Sequence, residues 1–224
     1  MRVVLAMLLT LVACATIAAA AGEVTVEDWS RMTVGAKGIP TDWKGQNWGS
    51  PAYDMTVVDE GGRKVLHLRS RNEGSTVSKD IKGKIDLKGT PILEWSWKAV
   101  ALPKGGNSCV KATDDQAAQI YVAWPRFPEA VRSQIIGYVW DTTAPVGTIC
   151  KSEKTGTVTY VVVRSGPAEL GKWITERRNV RDDFKKIYGA DPDNPGAVSV
   201  SIDSNDTASY SESFMGPIVF KSAN

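Results

Sequence analysis

Within residues 201–220, the run Asp203-Ser204-Asn205-Asp206-Thr207 gathers oxygen-bearing side chains at what reads as the end of a strand. Oxygen ligands packed this closely suit a hard cation such as Ca²⁺. The loop is not an EF-hand. Counting from Asp203, its sixth residue is Ala208 where that motif needs Gly, and its twelfth is Phe214 where it needs a bidentate Glu. A calcium site would have to draw further ligands from a neighbouring loop, and Asp114-Asp115, at the head of another strand, are the candidates. The metal set is then Asp114, Asp115, Asp203 and Asp206. Two other readings compete. Asp and Asn side chains in a turn cap their own backbone, and acidic-x-Asn-x-Thr is an extended bacterial N-glycosylation pattern with Asn205 as acceptor.

A second group is Trp173-x-x-Glu176-x-Arg178-Asn179. Strand alternation puts Glu176 and Arg178 on one face with Ile174 and Val180, so the two charges form either a hydrogen-bonded structural pair or the floor of a groove. Glu176 paired with Glu94 or an Asp would suit glycoside hydrolysis only if the carboxyls stood roughly 5 to 10 Å apart. The chain also holds eight tryptophans. Trp29, Trp43, Trp48, Trp124 and Trp140 fall near strand ends or in loops, where aromatic planes stack on sugar rings; Trp95 and Trp97 read as core. Tyr138 and Trp140 share a face with Gln134. The expected ligand-binding residues are therefore Tyr138, Trp140, Glu176, Arg178 and Asn179. His67 is the only histidine, which excludes a multi-His zinc site and a Ser-His-Asp triad built elsewhere. There is no P-loop and no dinucleotide fingerprint.

The elements that must position these residues have a period of two. Residues 53–58 and 63–70, joined through Asp59-Glu60-Gly61-Gly62, read as a hairpin. Residues 92–102, 117–124, 133–140, 156–163, 171–180, 197–202 and 212–220 follow as strands, separated by Gly, Pro, Asn and Asp. Leu93, Trp95, Trp97 and Ala99 fall opposite Glu94, Ser96 and Lys98, and Val198, Val200 and Ile202 fall opposite Ser199, Ser201 and Asp203. Only RDDFKKIYG looks helical, with Asp182 and Asp183 at its start, Phe184 and Ile187 on one face, and Gly189 as its stop. This pattern predicts an all-β fold, an antiparallel β-sandwich of jelly-roll type (galactose-binding-like) with one short helix, over residues 22–224. A closed barrel is the alternative.

Residues 1–21 have the layout of a signal peptide: Arg2, an uncharged stretch from Val3, and small residues at Ala19, Ala20 and Ala21 before a cut at Gly22. Leu11-Val12-Ala13-Cys14 also resembles a lipobox, which would anchor the chain by a lipid on Cys14, and an uncleaved anchor is a third form. The expected location is periplasmic or secreted, with no transmembrane segment in the mature chain. Loss of the leader takes Arg2 with it and leaves 26 basic against 25 acidic residues, a balance that offers no case for nucleic acid. Cys109 and Cys150 lie in turn-like text and in an oxidising compartment can form one disulfide, contributing about 3 to 4 kcal/mol; the alternative is two thiols.

From about Trp95 onward the chain resembles the bacterial family catalogued as domain of unknown function 3047. The resemblance is carried by Trp95-x-Trp97, Asp114-Asp115-x-Ala117-Ala118-x-Ile120-Tyr121-Val122 and Tyr138-Val139-Trp140. It continues in Trp173-x-x-Glu176-x-Arg178-Asn179-Val180, Asp183-Phe184, Gly189, Asp203 with Thr207, and Gly216. Pro40, Trp43 and Leu66 to Ser70 extend it loosely toward the N-terminus. The family pattern Asp-x-Asp-Asn-Thr stands here as Asp203-Ser-Asn205-Asp206-Thr207, which moves a charge by one position. The resemblance implies a secreted or periplasmic β-rich protein without established activity. The functional expectation is an exported non-catalytic module for a carbohydrate or cell-envelope glycan, with calcium as a structural ion. The alternatives are a glycan-active enzyme using a carboxylate pair and a structural envelope protein.

Overall fold

Alternating text becomes two stacked sheets in the computed structural model, which describes residues 22–223. Residues 1–21, on which the signal-peptide and lipobox readings fall, with Cys14 and Ala21, lie outside the described residues. The strands are β1 (Glu23–Glu27), β2 (Lys44–Gly45), β3 (Met55–Glu60), β4 (Arg63–Arg71), β5 (Gly74–Asp80), β6 (Ile92–Ala101) and β7 (Ala118–Trp124). They continue as β8 (Gln134–Asp141), β9 (Ile149–Lys151), β10 (Val158–Ser165), β11 (Ile174–Asn179), β12 (Ala197–Asp203) and β13 (Tyr210–Lys221). A single helical turn, α1 (Glu129–Arg132), precedes β8, and a longer helix, α2 (Val180–Tyr188), follows β11. One sheet has the order β11-β6-β13-β4-β3 with β1 also on β13, and the other β2-β5-β12-β7-β8-β10-β9. The fold is the expected antiparallel sandwich of jelly-roll type, except that β8 and β10 run parallel.

Local chemistry accounts for the main turns and the helix. Gly61 and Gly62 both take positive φ between β3 and β4, and the Gly62 N–H donates to Asp59 Oδ1 at 2.9 Å. Asn179 caps α2 by accepting the Asp182 N–H at 3.1 Å, Asp182 and Asp183 sit in its first turn, and Gly189 ends it in the left-handed region. Four strands were not legible as such: β1, β2, β5 and β9. β5 reads GSTVSKD, with one apolar residue, yet it pairs along its whole length with β12.

β13 acts as a spine. Its first half pairs with β4 and its second half with β1, while β6 lies along its other side. The handover occurs at a bulge between Met215 and Ile218, where Pro217 has no N–H to give a ladder and Gly216 leaves room for Ser96. The Gly216 carbonyl accepts the Trp29 indole N–H at 2.9 Å.

The layer between the sheets is filled by aromatic rings. Trp95 and Trp97 meet edge to face at 5.3 Å, Trp95 lies 5.3 Å from Tyr138, and Trp97 lies 6.1 Å from Trp140. One end of the layer holds a buried ion pair, Lys79 with Glu27 at 2.6 Å, and the same carboxylate accepts the Trp43 indole and the Trp29 backbone N–H. Burial pushes the Glu27 carboxyl up, but the Lys79 ammonium and the two N–H donors together outweigh it and hold the group below the usual carboxylate range.

Cys109 and Cys150 form the disulfide, with Cα atoms 5.7 Å apart. It ties the loop before β7 onto β9. Replacing both cysteines by serine should lower unfolding free energy in urea by about 4 kcal/mol, the entropy of closing a loop of that length. A loss below about 1 kcal/mol would show that the untied chain is already restrained.

Candidate functional site

The outer face of the seven-stranded sheet changes character across its width. Registers align Ser78, Ser199, Tyr121, Gly137, Tyr160 and Cys150 in one row, and Thr76, Ser201, Gln119 and Val139 in the next. Over β8, β10 and β9 this face is apolar. Val139, Val158, Tyr160 and Val162 pack with Ala144, Cys109 and Cys150, so the disulfide-tied loops cover it as a second small core. Over β5, β12 and β7 it is polar. Ser199 donates to Ser78 at 3.0 Å, and the Thr76 and Ser201 hydroxyls share a hydrogen bond of 2.8 Å, which makes a flat ladder of hydroxyls on adjacent strands. Thr76, Ser78, Ser199 and Tyr121 keep part of their surface in solvent.

Beyond β5 the ladder ends at β2 and the loop after it. Gln46 clasps this loop onto β5: its Oε1 accepts the Thr76 N–H at 2.7 Å, and its Nε2 donates to the Trp48 carbonyl at 2.9 Å. Trp48 stands at this rim with 62% of its surface exposed. Trp29, Trp43, Trp95, Trp97, Trp124 and Trp140 are all buried.

Where the open and covered halves meet, a polar cluster runs along the face. Gly137 has no side chain because the rings of Tyr121 and Tyr160 lie over it from both sides. The Tyr121 hydroxyl donates to Gln119, and the Gln119 amide donates to Asp203 Oδ1 at 2.7 Å. The Tyr160 hydroxyl reaches Asp114 Oδ2 at 3.3 Å, and Ser152 and Gln116 also donate to that carboxylate. Burial pushes the Asp203 carboxyl well up, and the neighbouring Asp115 and Asp114 charges push it further, against the Gln116 and Gln119 donors. Burial likewise raises Asp114 and both phenols.

Asp114, Asp115, Asp203 and Asp206 thus do meet at one rim, but N–H and O–H donors or a lysine engage their oxygens. Asp203 accepts the Gln116 N–H at 2.6 Å; Asp115 accepts the N–H groups of Asp206 and Thr207 at 3.1 and 2.6 Å; Asp206 pairs with Lys154. Among the described residues no three His, Cys, Asp or Glu side chains are arranged to hold a metal ion. The segment from Asn205 to Ala208 is a turn, with Asn205 exposed and Ala208 in the left-handed region.

The expected ligand residues are placed differently from the sequence reading. Tyr138 and Trp140 do share a face, but it is the inner one, and neither exposes any surface. The Tyr138 hydroxyl donates to Asp183 at 2.9 Å. Neither ring can therefore stack on a sugar. Glu176 and Arg178 do not pair with each other: Glu176 binds Arg164 at 2.6 Å, and Arg178 forks onto Asp183 at 2.5 and 2.9 Å. Asn179 is the cap of α2. Glu176 stands opposite inward-facing Trp95, whereas Glu94 is on the outer series with Lys221 as partner, so the two carboxylates lie on opposite faces of the sheet. The missed residues, Thr76, Ser78, Ser199, Ser201, Gln119, Tyr121 and Tyr160, had one available signal: each alternates with a buried aliphatic neighbour.

A family model described as "Protein of unknown function (DUF3047)" matches residues 41–219. No curated protein matches the chain. Among solved structures, it is similar to the family 30 carbohydrate-binding module of a Clostridium thermocellum cellulosomal cellulase, at 14% identity and a TM-score of 0.47, covering 90% of this chain and 98% of that one. It is similar to the family 11 carbohydrate-binding module from Clostridium thermocellum, in complex with a β-1,3-1,4-mixed-linked tetrasaccharide, at 10% identity and a TM-score of 0.45, covering 91% and 98%. A third is the xyloglucanase domain of NopAA from Sinorhizobium fredii, in complex with cellobiose, at 10% and 0.42, covering 84% and 96%.

Because the folded-state pKa of Asp203 lies above the unfolded value of about 3.9, its contribution favours folding at low pH and is lost as pH rises through the folded pKa. Asp203→Asn keeps an acceptor for Gln116 and removes the charge. Its melting temperature should exceed the parent's at about pH 8, with the gap closing toward about pH 4, and EDTA should move neither. Calcium raising only the parent's melting temperature by several degrees would restore the metal reading.

Proposed function

We propose that this chain, which belongs to the DUF3047 family, is an exported, non-catalytic module that binds a glycan across the open half of its seven-stranded sheet. The observation that carries the reading is the row of partly exposed hydroxyls Thr76, Ser78 and Ser199, with buried Ser201 bonded to Thr76, set between a partly exposed Tyr121 and the exposed Trp48. A sugar ring presents hydroxyls at its edge and C–H groups on its face. A flat row of short hydroxyls exchanges hydrogen bonds with the edge, and an indole at the rim stacks on the face. Short side chains suit this role because they carry little rotamer entropy to lose on binding.

Export is supported by the leader layout of residues 1–21 and by a disulfide that suits an oxidising compartment. Among the described residues no helix is long and apolar enough to cross a membrane. The polar cluster beside the ladder holds the face in place: Asp203 and Gln119 orient Tyr121, and Asp114 orients Tyr160. Calcium has no part in this reading.

Retention on insoluble β-glucans, with soluble oligosaccharides as competitors, tests it. Trp48→Ala should weaken retention about fivefold, the scale of one aromatic contact, and leave unfolding free energy within about 0.5 kcal/mol as an exposed substitution. Ser199→Val should weaken it further by removing a donor while keeping a strand former. Retention unchanged in both variants would end the assignment of this face.

A further inference from the structure

A groove of about 650 Å³ lies at the opposite edge of the same sheet, bounded by α1, the first residues of β8 and β10, β9, and the last turn of α2. It forms where inward-facing positions of β9 and β10 run to the sheet edge beside the helix. Thr159 pairs in register with Lys151 there, and Ile149 packs onto the main core. Its lining is neutral apart from the rim and mixes apolar Ile149 and Ile187 with Gln134, Thr157, Thr159 and Tyr188, whose hydroxyl donates to the Ile135 carbonyl at 3.1 Å.

The rim is cationic. Arg132 from α1, Lys151 from β9 and Lys186 from α2 all line the groove, and no Asp or Glu does. Among the described residues none of the three cations forms a salt bridge; Arg132 donates only to the Phe127 carbonyl. Their neighbours behave differently, since Arg181 and Lys185 on the same helix both pair with Asp191. Three unpaired cations on three separate elements, around a lining that includes hydroxyls and an amide, fit a ligand with repeated negative charges spaced by hydroxyls.

We propose that this groove binds a carboxylated glycan, a chain of uronic acid residues, at a site separate from the hydroxyl ladder. Carboxylates meet the rim cations, and ring hydroxyls meet Gln134, Thr157 and Thr159. A compact anion such as phosphate would need donors converging on one point, whereas these cations surround a volume the size of a small-molecule cleft. The proposal does not rest on the ladder, and the two are separable because their residues do not overlap.

The test is calorimetric titration of the disulfide-bonded protein with trigalacturonate, xylotriose and triglutamate, at low and moderate salt. Trigalacturonate should bind, weaken as salt rises, and lose at least tenfold in the double variant Lys151→Gln, Lys186→Gln, while Trp48→Ala binds it as the parent does. The double variant alters two exposed side chains, and an unchanged melting temperature will confirm that it is folded. The proposal is overturned if trigalacturonate does not bind, if the double variant binds it unchanged, or if triglutamate binds as tightly with the same loss, which would make the groove a site for acidic peptides.

Discussion

Two carboxyl groups stitch together stretches of the chain that are 87 to 92 residues apart in sequence. Asp115 accepts the amides of Asp206 and Thr207, and Asp203 accepts the amide of Gln116, so the entrance to β7 and the exit from β12 are locked to each other in both directions. Asp115 holds two backbone N–H groups at once, Asp203 supplies the return tie, and a buried acceptor or donor left unpaired here would be costly. The lock sets the register of β12 against β7. That register decides that Ser199 and Ser201 face outward while Val198, Val200 and Ile202 face the core. A slip of one residue would exchange the two sets and remove both the hydroxyl ladder and one wall of the core.

The architecture was readable because most strands alternate cleanly. The inward set of β6, Leu93, Trp95, Trp97 and Ala99, was identifiable from period alone, and the acidic first turn and glycine stop of α2 from residue type; its cap, Asn179, was read instead as a ligand residue. The candidate face was not readable, for a related reason. β5 carries Ser75, Thr76, Ser78 and Lys79 around a single valine, and its inward positions are occupied by Ser75 and by Lys79 paired with Glu27, so the apolar signal of a strand is missing. Polar residues at two of its three inward positions hide β5, while β7 and β12, which carry the rest of the face, alternate cleanly.

Tyr138 and Trp140 illustrate the opposite error. An aromatic near a strand end reads equally as a surface platform or as core, and parity assigns residues to a common face without saying which sheet lies over it. Here the six-stranded sheet covers that face, and Trp95 and Trp97 meet the two rings. Asp183 then satisfies the Tyr138 hydroxyl and also binds Arg178, while Glu176 takes Arg164. One aromatic placed inward therefore shares a carboxylate with a cation of the facing sheet. Trp48 escaped burial because its loop is fastened by Gln46 to the edge of β5, outside the reach of the second sheet.

The pairing of β1 with the second half of β13 brings the two ends of the fold side by side. Glu23 is opposite Lys221, and the Ser222 N–H donates to the Gly22 carbonyl at 2.6 Å. Tension applied between these ends pulls across that ladder at its open mouth, so its rungs break singly, in order, and not all at once. A tether on the N-terminal side alone instead draws along β1, where every rung shares the strain. Mechanically the domain is soft when stretched between its ends and stiff when the load runs along β1.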